Sequence, residues 1–552
     1  MILPRHRAEA TEHSAPRRAT ARTCAGFLLV GGLLTPACAP QGEVTIDLIL
    51  PDDPALSPAG DRLAELTLVT WEPGGAPHSQ SRPVGDPGAG VDLGVLPDGR
   101  QVQVALELRS ATDRLIGYGR SPEPVAARAG EDTVVSIQVR RPFVFASGAP
   151  DRLDTVDSTL DPVDPAAFGA IALTAPVATA PTPDGAELIA ITAPSQSEAA
   201  LQIVSTLDHR PVEGVSISLR GGVNDLAVTA DGRLAVVAHG GEEGGLSVVD
   251  LDAARAGEAK VAFRALGDAG AVRIAPGAGG EPARALALLS RSRAFGCDAA
   301  LPASSVAVVE LAGDLPVAGA VELDGPAADL AVAPDGARLY LAEPCRAIVS
   351  QVALGAGGLP DGAPAPLVEL EQATSVAVGS DGRVWGAGAA PPTADAGARV
   401  VLASTAPGGE DATRVVLPPQ EERAESNDFD EQGQRVEIRI DADRLRAFDL
   451  VALPGDDLVA LLIEGYYHAE ESGDTGLGPI TPEIEITTFE YMLVDASTRA
   501  AVQRLRTDCT GFVLSPDAVF VDFRCGEASD QQDLPVEERY QPVHLSALYG
   551  GK

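Results

Sequence analysis

The sequence predicts an all-β protein in which an N-terminal β-sandwich precedes a seven-bladed β-propeller. Aromatic residues make up 4% of the chain, and 58 Gly and 44 Pro separate short apolar runs, a composition typical of short strands joined by tight turns. Several runs alternate apolar and polar residues, as half-buried strands do. A third observation is the phrase "DLAVTADGRLAVVAHGG", residues 225–241, which returns in altered form along the C-terminal part of the chain.

Length and charge limit the classes of function. A chain of 552 residues is long enough for two or three domains. Its net charge of −38 argues against binding to nucleic acid and against electrostatic attraction to anionic lipid headgroups.

The first 37 residues predict an export signal. An arginine-rich leader precedes the apolar run "CAGFLLVGGLL", which is shorter than the roughly 20 residues that span a bilayer. The following "LLTPACAP" resembles the lipobox of bacterial lipoproteins at Ala37 and Cys38, while Thr35 stands where that family usually has Leu. The pair at residues 17–18 also resembles a twin-arginine signal, so the export route stays open.

The lipoprotein resemblance implies a processed and anchored chain. Residues 1–37 would be removed, Cys38 would carry the lipid, and residues 38–43 would form the tether. The resemblance places the protein in the bacterial cell envelope, at the outer membrane, with its lipid as the only membrane contact. The alternative is an ordinary signal peptide with an incidental cysteine at this position.

Residues 44–142 predict the sandwich. The runs "VTIDLIL", "AELTLVTW" and "TVVSIQVRR" read as short strands between Gly, Pro and Asp, a spacing that fits an immunoglobulin-like or transthyretin-like fold. Residues 143–167 carry several aspartates. A calcium loop would also need a glycine turn and a terminal Glu, so an acidic linker is the favoured interpretation.

Residues 168–552 predict the propeller. Seven turns recur at a base period of about 46 residues, each flanked by short apolar strands, as in blades of about four strands. The phrases "DLAVAPDGARLYLAE" and "DLAVTADGRLAVVAHGG" resemble the YVTN and WD-like propellers of exported bacterial proteins, a resemblance that implies binding, scaffolding or lactone hydrolysis. An acidic insertion is expected at about 409–445. The seven turns are centred on Asp184, Asp231, Pro276, Asp335, Asp381, Pro454 and Asp517.

The repeated Asp-Gly is interpreted as a turn. Glycine takes a positive φ at little cost, and aspartate tolerates one while accepting hydrogen bonds from nearby amides. One of the aligned turns lacks the aspartate, which argues against a catalytic carboxylate.

Four cysteines after residue 38 suggest two disulfides in an oxidising compartment. Cys509 and Cys525 flank a predicted hairpin, where residues equidistant from the turn face each other. Cys297 and Cys345 fall in corresponding loops of neighbouring blades, and we expect them to form the second bridge. No CxxC or CxxH spacing suggests zinc.

Loops after the second strand of each blade lie on one face of a propeller, and we expect a partner-binding face there. The alternative is that these are ordinary loop residues. No nucleophile elbow, SxxK or HExxH pattern is present, so the sequence predicts no catalytic residue, no metal and no cofactor. The residues of the expected face are His239, Arg293, Glu343, Tyr466, Tyr467 and His468.

Taken together, the sequence predicts a lipid-anchored envelope protein whose propeller binds an envelope protein or a glycan without catalysis. A hydrolase resembling propeller lactonases is the first alternative, and a purely structural part of an envelope complex is the second.

Overall fold

The structure is a computed structural model, and the fold and site below concern the residues that it describes. Residues 1–40, which contain the predicted signal and Cys38, lie outside this set. The described residues are 41–53, 56–58, 63–71, 78–83, 91–97, 101–110, 115–121, 125–126, 128, 132–141, 143–146, 151–157, 168–183, 185–277, 283–292, 294, 297–355, 358–379, 382–393, 397–406, 408–409, 411–417, 422–429, 435–452, 458–472, 484–495, 501–507, 511–514, 520–524 and 543–544.

Two sheets form an N-terminal β-sandwich, in agreement with the sequence. In the first sheet β1 lies in the centre, antiparallel to β4 and parallel to β8, and in the second β5 pairs with β2, β6 and β7. The strands are β1 (Gln41–Ile49), β2 (Leu63–Trp71), β3 (His78–Pro83), β4 (Val91–Pro97), β5 (Gln101–Ser110), β6 (Leu115–Arg120), β7 (Val125–Ala126) and β8 (Asp132–Gln138).

Alternating side chains of these strands build the core of the sandwich. Val44 and Ile46 of β1 are fully buried against Val104 and Leu106 of β5, and Ile137 of β8 completes the cluster. The period-2 alternation of apolar residues therefore turns one face of each strand toward the other sheet.

The stretch predicted as an acidic linker, 143–167, contains two strands instead. These are β9 (Phe143–Ala146) and β10 (Arg152–Asp157), which form a three-stranded sheet with β11 (Phe168–Ala172). Phe145 and Leu153 are buried against strands of the first blade. The linker interpretation is wrong for these strands because the short apolar run of β9, which precedes the aspartates, and Leu153, which stands among them, supply a buried face.

The rest of the chain forms the blades of the predicted propeller. Along the sequence, each of the seven predicted turn positions lies between two strands that pair in one sheet, and the seven sheets are different. One short helix, α1 (Leu251–Arg255), follows the third strand of blade 2.

The strands of the first five blades are short. Blade 1 comprises β12 (Pro176–Pro181), β13 (Glu187–Thr192), β14 (Glu198–Ser205), β15 (Arg210–Pro211) and β16 (Ile217–Arg220); blade 2, β17 (Val223–Val228), β18 (Leu234–His239), β19 (Gly245–Asp250) and β20 (Val261–Ala265); blade 3, β21 (Ala269–Ala275), β22 (Arg284–Leu289), β23 (Ser305–Glu310) and β24 (Val317–Glu322); blade 4, β25 (Asp329–Val332), β26 (Arg338–Glu343), β27 (Ile348–Ala353) and β28 (Ala365–Glu369); blade 5, β29 (Ser375–Val378), β30 (Val384–Ala390), β31 (Arg399–Thr405) and β32 (Thr413–Leu417).

The last two sheets depart from this pattern. Blade 6 has five described strands, as blade 1 does, but some of them are much longer, and blade 7 has three described strands. Blade 6 comprises β33 (Glu422–Phe429), β34 (Arg435–Ala452), β35 (Leu458–Ser472), β36 (Ile484–Asp495) and β37 (Ala501–Thr507); blade 7, β38 (Gly511–Leu514), β39 (Phe520–Arg524) and β40 (Val543–His544).

The insertion predicted at about 409–445 is largely strand. It contains β32, β33 and the first part of β34. Its charged residues sit in extended backbone that pairs with neighbouring strands, so acidity alone was a poor guide to loop structure.

One strand of each blade contributes to an inner ring, the first strand in every blade except blade 6, where it is the second. Strand β12 contacts β17, which contacts β21, and the series continues through β25, β29, β34 and β38. Strand β9, from the N-terminal side, contacts β38 and β39 of the last blade. Strands from both sides of the propeller sequence thus meet where the ring closes.

The repeated turns use Asp and Gly as expected. Gly232 has a φ of +68°, and Asp231 accepts hydrogen bonds from the Thr229 hydroxyl (2.6 Å) and the Arg233 amide (3.1 Å). The fourth blade repeats this with Gly336 at +68° and the Asp335 carboxylate accepting from the Ala337 amide (2.9 Å). Asp231 and Asp335 therefore stabilise their turns.

Where the sandwich precedes the ring, the buried Arg140 donates from Nη1 to Thr206 Oγ1 of blade 1 (2.7 Å). Nearby, His209 makes edge contacts with Phe143 and Phe145, and burial lowers the pKa of His209 to about 4. No described helix is both long and apolar enough to span a membrane.

Candidate functional site

The first aspartate of the repeated phrase joins one blade to the next. The Asp225 carboxylate of blade 2 accepts from the Val272 amide of blade 3 (3.0 Å), and Asp329 of blade 4 accepts from the Val376 amide of blade 5 (3.1 Å). Both bonds connect neighbouring inner strands. We call them the inter-blade aspartate bonds.

Arg273 connects the two aspartates across blade 3. Its Nη1 lies 2.7 Å from Asp225 Oδ2, and its Nη2 lies 3.7 Å from Asp329 Oδ1. Asp329 is 7% exposed, whereas the arginine side chain is 40% exposed. The charge of the guanidinium offsets the cost of placing the Asp329 carboxylate out of water.

His239, predicted to face a partner, ends β18 but is buried. Its Nε2 lies 2.9 Å from Ser247 Oγ, and its Nδ1 lies 3.0 Å from the carbonyl oxygen of Gly221. Burial is the main cause that lowers its pKa, and the nearby Arg220 adds to it while the Gly221 carbonyl opposes it. At 1% exposure, His239 offers no surface to a partner in this structure.

Glu343 occupies the same place at the end of β26 and is buried too. Its carboxylate accepts from the Ser350 hydroxyl and forms an ion pair with Arg346 (3.1 Å). At 1% exposure it is likewise out of reach of a partner. Both side chains support the third strand of their own blade.

For the other residues of the expected binding face, the structure describes the backbone only or does not describe the residue. Tyr466, Tyr467 and His468 lie in β35, paired with β34 and β36 rather than in a loop, and their side chains lie outside the described set. Arg293 and two of the four cysteines, Cys509 and Cys525, also lie outside the described residues.

A cavity of about 590 Å³ lies at the joint between blades 2 and 3, on the face where first strands begin and second strands end. We call it the blade 2–3 cavity. Glycines form much of its wall, and polar groups of both charges line it. Its lining includes Asn224, Gly240, Asp268, Gly270, Arg291 and Asp298.

Arg291 is held in place at the cavity. The preceding Ser290 has a φ of +54°, a strained conformation for a non-glycine residue. The Ser290 amide donates to the Asp268 carbonyl (2.9 Å), and Arg291 Nε donates to the Ala328 carbonyl (2.6 Å). Within the described chain, Nη1 and Nη2 of Arg291 have no hydrogen-bond partner.

Two glycines keep space open around these side chains. A Cβ on Gly270 would lie 2.4 Å from Arg291 Cβ, and one on Gly240 would lie 2.5 Å from Asn224 Nδ2 and 3.1 Å from Asp268 Oδ1. Neither glycine can be replaced without moving a polar side chain of the cavity.

The acidic side of the cavity comes from Asp268 and Asp298, both exposed. Asp268 Oδ1 accepts from the Gly241 amide (3.0 Å), and Asp298 Oδ1 accepts from the Ala300 amide (2.9 Å). The second oxygen of each carboxylate has no partner among the residues described. The cavity therefore presents a guanidinium and two carboxylates that can each take further hydrogen bonds.

A disulfide stands beside the cavity. Cys297 and Cys345 are bonded in the structure, with Cα atoms 4.4 Å apart. Cys297 directly precedes Asp298, and Cys345 follows β26 of blade 4. The bridge thus ties the loop that forms one cavity wall to the neighbouring blade.

Among the described side chains, no group of three or more His, Cys, Asp and Glu residues is arranged to hold a metal ion. The sequence analysis named Arg293 in this loop but missed Asp268 and Asn224. It considered only loops after second strands, although the segments that lead into first strands reach the same face. The glycines of "RGGVND" and "GDAGAV" were the available signal.

Comparison with known proteins finds similar solved structures but no related sequence. No protein-family model and no curated protein matches the sequence. Among solved structures, hydrazine synthase of Kuenenia stuttgartiensis is similar over 67% of this chain and 95% of its own, at 14% identity and a TM-score of 0.40. Dihydro-heme d1 dehydrogenase NirN, solved in complex with DHE, is similar over 66% and 72%, at 15% identity and a TM-score of 0.34.

A third solved structure is that of a functionally unknown protein from Desulfotomaculum acetoxidans DSM 771. It is similar over 62% of this chain and 98% of its own, at 14% identity and a TM-score of 0.37.

Proposed function

We propose that the chain is a lipid-anchored protein of the bacterial cell envelope whose propeller binds an envelope protein or glycan without turning it over. The observation that carries the binding role is the blade 2–3 cavity, where Arg291 is fixed through Nε while its terminal nitrogens have no described partner. A guanidinium positioned in this way is ready for a ligand and needs little reorganisation on binding.

The cavity fits binding better than hydrolysis. A hydrolase needs an acid–base pair or a cation aligned on a reacting atom. The carboxylates of Asp268 and Asp298 are exposed. One oxygen of each accepts a hydrogen bond from a nearby backbone amide. Binding needs a recess and charges that a ligand can complement, and the cavity offers charged side chains of both signs.

The binding role is tested by filling the cavity. Ala294, on its lining, is changed to Trp in the exported full-length protein, and Ala365→Trp on the exposed outer strand of blade 4 serves as the matched control. The purified proteins are immobilised and incubated with protein and glycan fractions of envelope extract. We expect the wild type and the control to retain the same component and Ala294→Trp to lose it. Equal retention by all three proteins would remove the cavity from the proposal.

The anchor is tested independently by metabolic labelling with palmitate. We expect label on the wild type and on Cys24→Ala, whose cysteine lies in the leader, and no label on Cys38→Ala. Label that survives Cys38→Ala would exclude this cysteine as the attachment site.

A further inference from the structure

We propose that the group received by the blade 2–3 cavity is a small zwitterion, with a carboxylate bound by Arg291 and an ammonium bound by Asp268 and Asp298. The proposal rests on the binding role above and names the chemistry that this site recognises.

The carboxylate half follows from the geometry of Arg291. The hydrogen bond from Nε to the Ala328 carbonyl fixes one edge of the guanidinium, and Gly270 lies against the stem. The fork formed by the two terminal nitrogens remains for a ligand. Two parallel N–H donors match the two oxygens of a carboxylate.

The ammonium half follows from the carboxylates on the same cavity. Asp268 is close to Arg291 along the wall, because the Ser290 amide donates to the Asp268 carbonyl. Asp268 and Asp298 each keep one oxygen without a described partner. An ammonium group has three donors and no acceptor, so it satisfies these oxygens where a second anion would be repelled.

The overall charge decides against a purely anionic ligand. A chain with a net charge of −38 repels anions at a distance, and the two aspartates repeat this repulsion locally. A purely cationic ligand would meet Arg291. A zwitterion carries no net charge and places each of its ends against the opposite sign.

Isothermal titration calorimetry with three matched probes tests the assignment at pH 7 and fixed ionic strength. Glycylglycine carries both charges, N-acetylglycylglycine only the carboxylate, and glycylglycinamide only the ammonium. We expect glycylglycine to bind at least tenfold more tightly than either analogue, since each charge-assisted pair contributes about a tenfold factor or more.

Matched variants then assign each end of the probe. In Arg291→Gln, glycylglycine should bind no better than glycylglycinamide, and in the double variant Asp268→Asn, Asp298→Asn it should bind no better than N-acetylglycylglycine. Asp361→Asn, at an exposed site on blade 4, should leave all three affinities within twofold of the wild type.

Binding of glycylglycine that is absent, or no tighter than that of an analogue, would overturn the zwitterion assignment. The cavity-filling experiment with Ala294→Trp judges the binding role separately. Retention of an envelope component lost in that variant, together with no response to glycylglycine, would leave the binding role standing and reject the ligand class.

Discussion

The joint between blades 2 and 3 and the joint between blades 4 and 5 use the same inter-blade aspartate bond. They present different side chains on the face where first strands begin and second strands end. Aligned on Asp225 and Asp329, the two joints match residue by residue. Gly270 at the first joint corresponds to Thr374 at the second, and Asn224 corresponds to Ala328.

The difference separates the scaffold from the site. At the second joint Pro344 and Cys345 stand where Gly240 and Gly241 stand at the first, and the Thr374 hydroxyl donates to the Ala447 carbonyl of blade 6 (2.9 Å). The repeated aspartate holds both joints together, and glycines line the cavity at the first joint at positions where the second joint has larger side chains. Substitutions of the shared aspartates should affect stability, whereas changes to the residues found only at the blade 2–3 cavity should affect binding.

The largest effect is expected from the inter-blade aspartate bonds. Asp329→Ala should lower the free energy of unfolding by about 4 kcal/mol. The substitution removes a buried carboxylate, so the Val376 amide loses its acceptor and Arg273 loses one of its two ionic partners. Asp225→Ala should cost about 2 kcal/mol, since its side chain is 25% exposed and water replaces part of the interaction. Urea unfolding measures both.

Asp361→Ala, at an exposed position, is the control for this pair and should change stability by less than about 0.5 kcal/mol. Equal losses for Asp225→Ala and Asp329→Ala would contradict the claim that burial sets the strength of the two bonds.

The second effect concerns the bridge beside the cavity. Cys297→Ser and Cys345→Ser should each lower the free energy of unfolding by about 3 kcal/mol, because the bridge closes a long loop, with a sequence separation of 48. The double variant should lose no more than either single variant, since each alone already breaks the bond. Additive losses, measured by urea unfolding, would show that the two cysteines are not joined.

Acid should weaken a third joint, where the sheet of β9–β11 meets blade 1. The folded pKa of His209 is about 4, below its usual value of about 6.5, so the unfolded chain binds the extra proton first. The stabilising contribution is complete above pH 6.5 and is lost as the pH falls toward 4. We expect a loss of about 2 kcal/mol, less than the full shift implies because the ring is partly exposed.

His209→Asn is the matched variant, because asparagine tolerates the positive φ of +52° at this position. Urea unfolding at pH 7 and pH 4.5 should show a smaller acid-induced loss in the variant than in the wild type. An identical loss in both would place the acid sensitivity elsewhere, for example at the buried His239.

These joints also show how far sequence reasoning reaches. The period of the Asp-Gly turns predicts the blades because the described turns of blades 1, 2, 4 and 5 share a glycine with positive φ, and strand alternation predicts the sandwich. The apolar run of β9, which includes Phe145, is only four residues long, and Leu153 of β10 stands among aspartates. Neither gives a periodic signal, so β9 and β10 were missed. The cavity depends on residues far apart in the chain, such as Asn224 and Arg291, and only the ring brings them together.

The smallest expected effect belongs to the second aspartate of the phrase, in the turn. Asp231→Ala should cost about 1 kcal/mol, because it removes the acceptor of the Thr229 hydroxyl and the Arg233 amide at an exposed position. Asp335→Ala should lower the free energy of unfolding by less, since among the described residues only the Ala337 amide donates to the Asp335 carboxylate. If either turn variant matched the loss of Asp329→Ala, or reduced retention of the envelope component, the division between the two aspartates of the phrase would fail. The first would then no longer be the one that holds the ring, and the second would no longer be only a turn residue.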